Sequence, residues 1–112
     1  MRYLLSALVL LMCTLLFACA HPRTEGVTKL TGDVAKGEPI WKQHCNRCHG
    51  DDGKGKDNLA PDITTDHHKG HSDASFITVI LAGHDSMPEF ASKLKDQEVA
   101  DVMAYYRKTI LK

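Results

Sequence analysis

The sequence predicts an all-α domain of three to four short helices, and three observations carry that prediction. Apolar residues recur at helical spacing in three separate stretches, 33–48, 72–83 and 96–110. No run alternates apolar and polar residues as a half-buried strand would. The segments between those stretches are rich in Gly, Asp, Lys, Asn and Pro, the composition of loops. A chain of 112 residues holds one domain with a thin core.

Residues 1–18 read as a signal peptide of the lipoprotein type. Arg2 precedes an uncharged, leucine-rich run, and Leu16-Phe17-Ala18-Cys19 resembles a bacterial lipobox, with Cys19 as the lipid-bearing first residue of the mature protein. Two other readings stay open: cleavage after Ala18 or Ala20 yields a soluble product, and an uncleaved run is barely long enough to span a bilayer. All three export the domain. Residues 19–32 are polar, contain Pro22, Gly26 and several threonines, and are expected to form a tether. The domain proper is expected over 33–112.

Asp33 is a suitable N-cap for the first helix, in which Ile40, Trp41, His44, Cys45 and Cys48 share one face. Pro39 removes a backbone donor, so the helix is expected either to begin near Gly37 or to kink at Pro39. The helix ends in Cys45-Asn46-Arg47-Cys48-His49, the spacing that fastens one haem c covalently to a polypeptide. Both cysteines become thioethers to the porphyrin, and His49 turns its ring onto the iron. Zinc, thiol exchange and a disulfide also use Cys-x-x-Cys. A structural zinc site needs four ligands, usually with a second Cys or His pair at metal spacing, and the mature chain has no cysteine beyond Cys45 and Cys48 except near its start, while thiol exchange expects a strand before the motif.

Residues 50–72 are expected to be mostly loop, with a short turn of helix. Ser72 or Asp73 can cap a second helix running through Phe76, Ile77, Val79, Ile80 and Leu81 to a stop at Gly83. A loop holding Met87-Pro88 follows. The last helix spans about Asp96 to Ile110, with Val99, Val102, Met103, Tyr106 and Ile110 on one face. Acidic residues open it and Arg107 and Lys108 close it, as the helix dipole favours.

This order of features resembles the small monohaem cytochromes c of bacteria (class I type), over about Asp33 to Ile110. Gly37 and Trp41 precede Cys45 by eight and four residues, where that family has a glycine and an aromatic on its first helix. Val102 and Tyr105 match the last helix, which crosses the first at the glycine. Lys95 stands where relatives carry a Ser or Thr cap. The resemblance implies a cytochrome c-like fold wrapped around the haem, with the Pro61 carbonyl accepting a hydrogen bond from the haem-ligating histidine. It also places Met87 in a segment ending Met-Pro-x-Phe, as sixth iron ligand. A thioether there favours ferrous iron and raises the potential. Met103 falls on a periodic helix face and reads as core.

Other candidates are weighed against plainer roles. His67, His68, His71 and His84 could replace Met87 on the iron, and His67 with His71 could hold a metal ion, yet solvated surface histidines are commoner. His44 is expected to pack beside the haem. Trp41, Tyr105 and Tyr106 read as core at the helix crossing rather than an electron relay. Loss of Arg2 with the leader leaves basic side chains one short of the 14 acidic ones, so nothing suggests nucleic acid. Lys42, Lys54, Lys56, Lys93 and Lys95 could ring an exposed haem edge, but read first as solvating lysines.

The expected function is a one-electron shuttle at the periplasmic face of a bacterial membrane, meeting redox donors and acceptors and acting on no small-molecule substrate. An open-iron sensor or enzyme and an accessory subunit of a larger redox complex are the alternatives. The exposed tether leans toward a mobile carrier.

Overall fold

The computed structural model describes residues 20–112, so the leader 1–18 and Cys19 lie outside the described residues. Among the described residues six short α-helices follow one another: α1 Thr24–Thr28, α2 Val34–Ile40, α3 Asn46–His49, α4 Asp66–Lys69, α5 Asp73–Ala82 and α6 Asp96–Tyr105. π-Helical stretches, Trp41–Cys45 and Tyr106–Ile110, continue α2 and α6. Among the described residues the β pairing consists of one isolated bridge between His84 and Met87.

The Asp33 carboxylate caps α2 by accepting from the Ala35 and Lys36 N–H groups at 2.9 and 3.2 Å. Gly37 N–H already donates to the Asp33 carbonyl at 2.9 Å, so the helix is under way before Gly37 and runs through Pro39. A start near Gly37 is therefore corrected. Proline removes one rung of the ladder, and directly beyond it the bonding widens, with Asn46 N–H donating to the Trp41 carbonyl. The π spacing carries the chain into the Cys-x-x-Cys turn.

Ser72 caps α5 through the Ser75 N–H, and Gly83 ends it with φ 77°. Lys95 occupies the N-cap of α6 without a capping side chain of its own. Glu98 supplies the stabilising contact instead, its carboxylate accepting from the Lys95 N–H at 2.8 Å. The expected face of α6, Val99, Val102, Met103, Tyr106 and Ile110, is buried throughout.

Helix α6 is buried on more than that face, because α2 packs against it more extensively than any other pair of elements does. A Cβ placed on Gly37 would lie 2.0 Å from the Asp101 carbonyl oxygen and 2.8 Å from Tyr105 Cβ, so the two backbones meet where only hydrogen fits. Gly32 makes a second such approach, 2.1 Å from the Ala100 oxygen. Between them Asp101, only 3 % exposed, accepts from the Asp33 N–H at 2.8 Å and from the Gln97 side chain at 2.9 Å. That buried carboxylate ties the start of α2 to α6.

The segment read as a tether, 19–32, is corrected over its latter part. Helix α1 packs on α5 and α6, with Val27 1 % and Thr24 4 % exposed. The Thr24 hydroxyl meets that of Thr78 at 2.9 Å, and the Arg23 guanidinium reaches Asp96 at 2.5 Å and the carbonyls of Ala91 and Leu94 at 2.6 and 2.8 Å. One apolar residue in a polar helix gives no periodicity to read, and an arginine satisfying distant loop carbonyls leaves no local signature. The segment is held by these long-range polar contacts together with the buried Val27.

Candidate functional site

The site grows from the end of the first helix. Cys45 and Cys48 form no disulfide, and both are half-buried. Burial pushes the Cys45 thiol up to about 12, with a smaller contribution from Cys48 beside it. A thiol-exchange centre needs the opposite shift, a thiolate near neutral pH. No group of three or more His, Cys, Asp and Glu side chains converges among the described residues, so the pair lacks the further donors of a structural zinc site.

His49 follows on the same turn. Burial first, and the charge of nearby His68 second, lower its pKa and keep the imidazole neutral, the form that ligates a metal. Its Nδ1 is buried without a hydrogen-bond partner. A histidine bound to metal through one nitrogen donates the N–H of the other to a second group, and Nδ1 is unspent for that role. The Pro61 carbonyl is not that partner in this structure. Pro61 is exposed, on a loop that contacts Gly55, whose N–H donates in turn to the His49 carbonyl at 2.9 Å.

The following loop folds back on the motif. Gly50 N–H donates to the Asn46 carbonyl at 2.8 Å and Lys56 N–H to the Cys48 carbonyl at 2.9 Å. Trp41 backs the turn, donating through Nε1 to the Gly50 carbonyl at 3.2 Å, with its ring 6.0 Å from that of His49. It also stacks on Tyr106 at 6.4 Å and 12° and lies 6.1 Å from Tyr105. All three aromatics are buried, as expected of a helix crossing. The Tyr106 hydroxyl reaches across to the Ile63 carbonyl at 2.7 Å, pinning the middle of the long loop to α6.

Met87 enters from the other side of the sequence. It is half-buried and packs, as Cys45 does, against the one hydrophobic cluster. Its N–H donates to the His84 carbonyl at 2.8 Å and its own carbonyl accepts from His84 at 3.1 Å, closing a tight turn. Gly83 makes that turn possible: a Cβ there would sit 2.8 Å from the Met87 carbonyl oxygen. Met103 is in the core, 5 % exposed.

The remaining histidines separate by exposure. His84 faces solvent and meets the Asp85 carboxylate at 3.3 Å, while His67 and His71 are exposed. His44 is half-buried, its ring edge-on to Phe90 at 6.0 Å. Of the five lysines, Lys42 pairs with Glu38 at 2.6 Å and Lys93 lies over the Phe90 ring at 5.3 Å.

The donor set fits a haem held by two thioethers: two thiols on one helical turn, a neutral imidazole with a free second nitrogen, and a thioether sulfur on the same core. Short helices closing around such a turn are those of a small cytochrome c. The chain belongs to the family described as cytochrome C oxidase, cbb3-type, subunit III, whose model matches residues 32–105. As a member it carries covalently bound haem c. It is 38% identical over 77 residues to the cbb3-type cytochrome c oxidase subunit FixP of Bradyrhizobium diazoefficiens, covering 66% of this chain and 26% of that protein. The chain thus spans about a quarter of that relative's length. The crystal structure of cytochrome cL from Hyphomicrobium denitrificans superposes with a TM-score of 0.58 at 26% identity, over 66% of this chain and 45% of the other.

Two features escaped sequence reasoning, the second glycine contact at Gly32 and the Arg23 clamp. Gly32 precedes the helix that its backbone helps to position, so helical spacing did not flag it.

Proposed function

We propose that this chain is a single-haem electron-transfer protein, in which Cys45 and Cys48 hold the porphyrin, His49 ligates the iron and Met87 ligates it from the opposite face. When bound, the haem supplies a one-electron ferric–ferrous couple. The observation that carries this reading is the buried, unpartnered Nδ1 of a neutral His49, one residue beyond a pair of half-buried thiols. Trp41 and the Gly50–Lys56 loop fix the imidazole turn, and the Gly83 turn holds the backbone at Met87, whose side chain packs on the core. A residue filling the sixth position leaves no open site on iron for a substrate, which argues for a carrier rather than an enzyme or sensor.

Donor and acceptor are redox proteins. Cys19 supplies a lipid anchor at the periplasmic face of a membrane, a reading supported by the lipobox-like Leu16–Cys19. Among the described residues no helix is long and apolar enough to cross a membrane. A second reading, a subunit within a larger redox complex, gains from the docking of α1, which shortens the free reach between anchor and domain. The family description and the FixP match lean the same way.

A spectroscopic redox titration tests the proposal. Wild type should titrate as one reversible one-electron centre and show the methionine–iron band at the red edge of the oxidised spectrum. A spectrum without that band, insensitive to Met87→Ala, would remove Met87 from the iron and reopen the sensor reading.

A further inference from the structure

Outside the proposed haem site, α4 and the bend after it bring three imidazoles together. His67 and His71 lie four residues apart, and their Nε2 atoms converge to 3.3 Å with ring centroids 4.8 Å apart. Tetrahedral zinc holds each imidazole nitrogen at about 2.0–2.1 Å, which sets two such nitrogens about 3.3–3.4 Å from one another. The separation matches that of a chelating pair, and in this structure it is spanned by a hydrogen bond between the two rings.

The backbone that fixes it is itself tied down. His71 N–H donates to the His68 carbonyl at 3.1 Å, while the His71 carbonyl accepts from the Arg107 guanidinium at 2.6 Å. Arg107 also pairs with Asp73 at 2.8 Å and lies over the Phe76 ring at 5.1 Å. The His68 ring lies 5.2 Å from that of His67 and 6.0 Å from that of His71, with its Nδ1 engaged by the Thr65 hydroxyl at 2.9 Å. The Asp66 carboxylate is engaged by Lys69 at 3.3 Å.

We propose that His67 and His71 form a surface site for an imidazole-seeking divalent cation, zinc or copper(II), bound through the two Nε2 atoms. Neutral imidazole suits both ions. No third His, Cys, Asp or Glu side chain joins a metal-binding group among the described residues, so water completes the coordination shell and the ion is exchangeable. Both ligands are exposed, and neither belongs to the proposed haem site.

The test is zinc titration of the intact haem-loaded protein by calorimetry, with long-range nitrogen NMR of the histidine rings in parallel. One zinc per chain should bind with shifts confined to the Nε2 resonances of His67 and His71. His67→Ala and His71→Ala should each weaken binding by about tenfold or more, and His68→Ala and His84→Ala should leave it within about twofold. An unchanged haem spectrum in each variant establishes that the fold is intact. No binding in wild type, or binding that survives His67→Ala with His71→Ala together, overturns the proposal. Loss in His68→Ala alone overturns the two-ligand assignment.

Discussion

The crossing of α2 with α6 and the loop side around His49 are built from the same short chain, but their polar groups are satisfied differently. At the crossing two glycines let backbones touch, and Asp101, though buried, has donors from both Asp33 and Gln97. Around His49 the backbone is well bonded, yet a side-chain nitrogen is left buried and alone. The first region is complete as polypeptide. The second still lacks a hydrogen-bond acceptor for His49 Nδ1, and a buried unpaired polar atom costs about 1–3 kcal/mol until it finds a partner.

Substitutions on the two sides should therefore fail in different ways. The largest effect is expected from replacing both Cys45 and Cys48 by alanine. The chain would lose its covalent haem, and the loop side its organising centre. Circular dichroism and the haem absorbance of the purified protein check this, and normal covalent haem in the double variant would contradict it.

Next comes Gly37→Val, a failure of the crossing alone. Its new Cβ would meet a carbonyl oxygen at 2.0 Å, beyond ordinary overpacking, so the loss should be at least about 3 kcal/mol. Denaturant unfolding of the haem-loaded protein measures it. Gly32→Val should behave alike, and wild-type stability in either would show that the helices do not meet there.

Met87→Ala should separate function from fold. Attachment and most of the stability should persist, while the potential falls on the order of 0.1 V, a fraction of the about 0.8 V that axial ligation spans. The smallest effect belongs to Arg23→Ala, which removes the polar clamp on α1 and leaves Val27 and Thr24 to hold it. Its ion pair with Asp96 is partly exposed, so about 1 kcal/mol is expected, together with faster amide exchange confined to residues 23–30. Exchange that quickens uniformly across the domain would show that Arg23 acts on the whole fold and not on α1 locally.

The contrast also explains what could be read from sequence. Short amphipathic helices announce themselves by spacing, so α5, α6 and the start of α2 at Asp33 were legible, while the approach at Gly37 came from the resemblance to the family. The passage of α2 through Pro39 was not, because a lost hydrogen bond can be absorbed by π bonding that leaves no mark on apolar periodicity. Helix α1 was hidden because one apolar residue, Val27, and long-range polar contacts hold it: Arg23 reaches residues 68 to 73 positions away. At the site, the Cys45–His49 motif declared its chemistry through local spacing alone. The partner for His49 Nδ1 depends on how a remote loop is placed, and Pro61 is not bonded to it here.

The central claim, that the loop side is completed by one haem joined to Cys45 and Cys48, is tested most directly by mass spectrometry of the denatured protein. The account predicts a mass equal to the mature chain plus one haem, with the addition confined to the peptide containing both cysteines. Free thiols at Cys45 and Cys48, with haem extracted into acidified organic solvent, would contradict it.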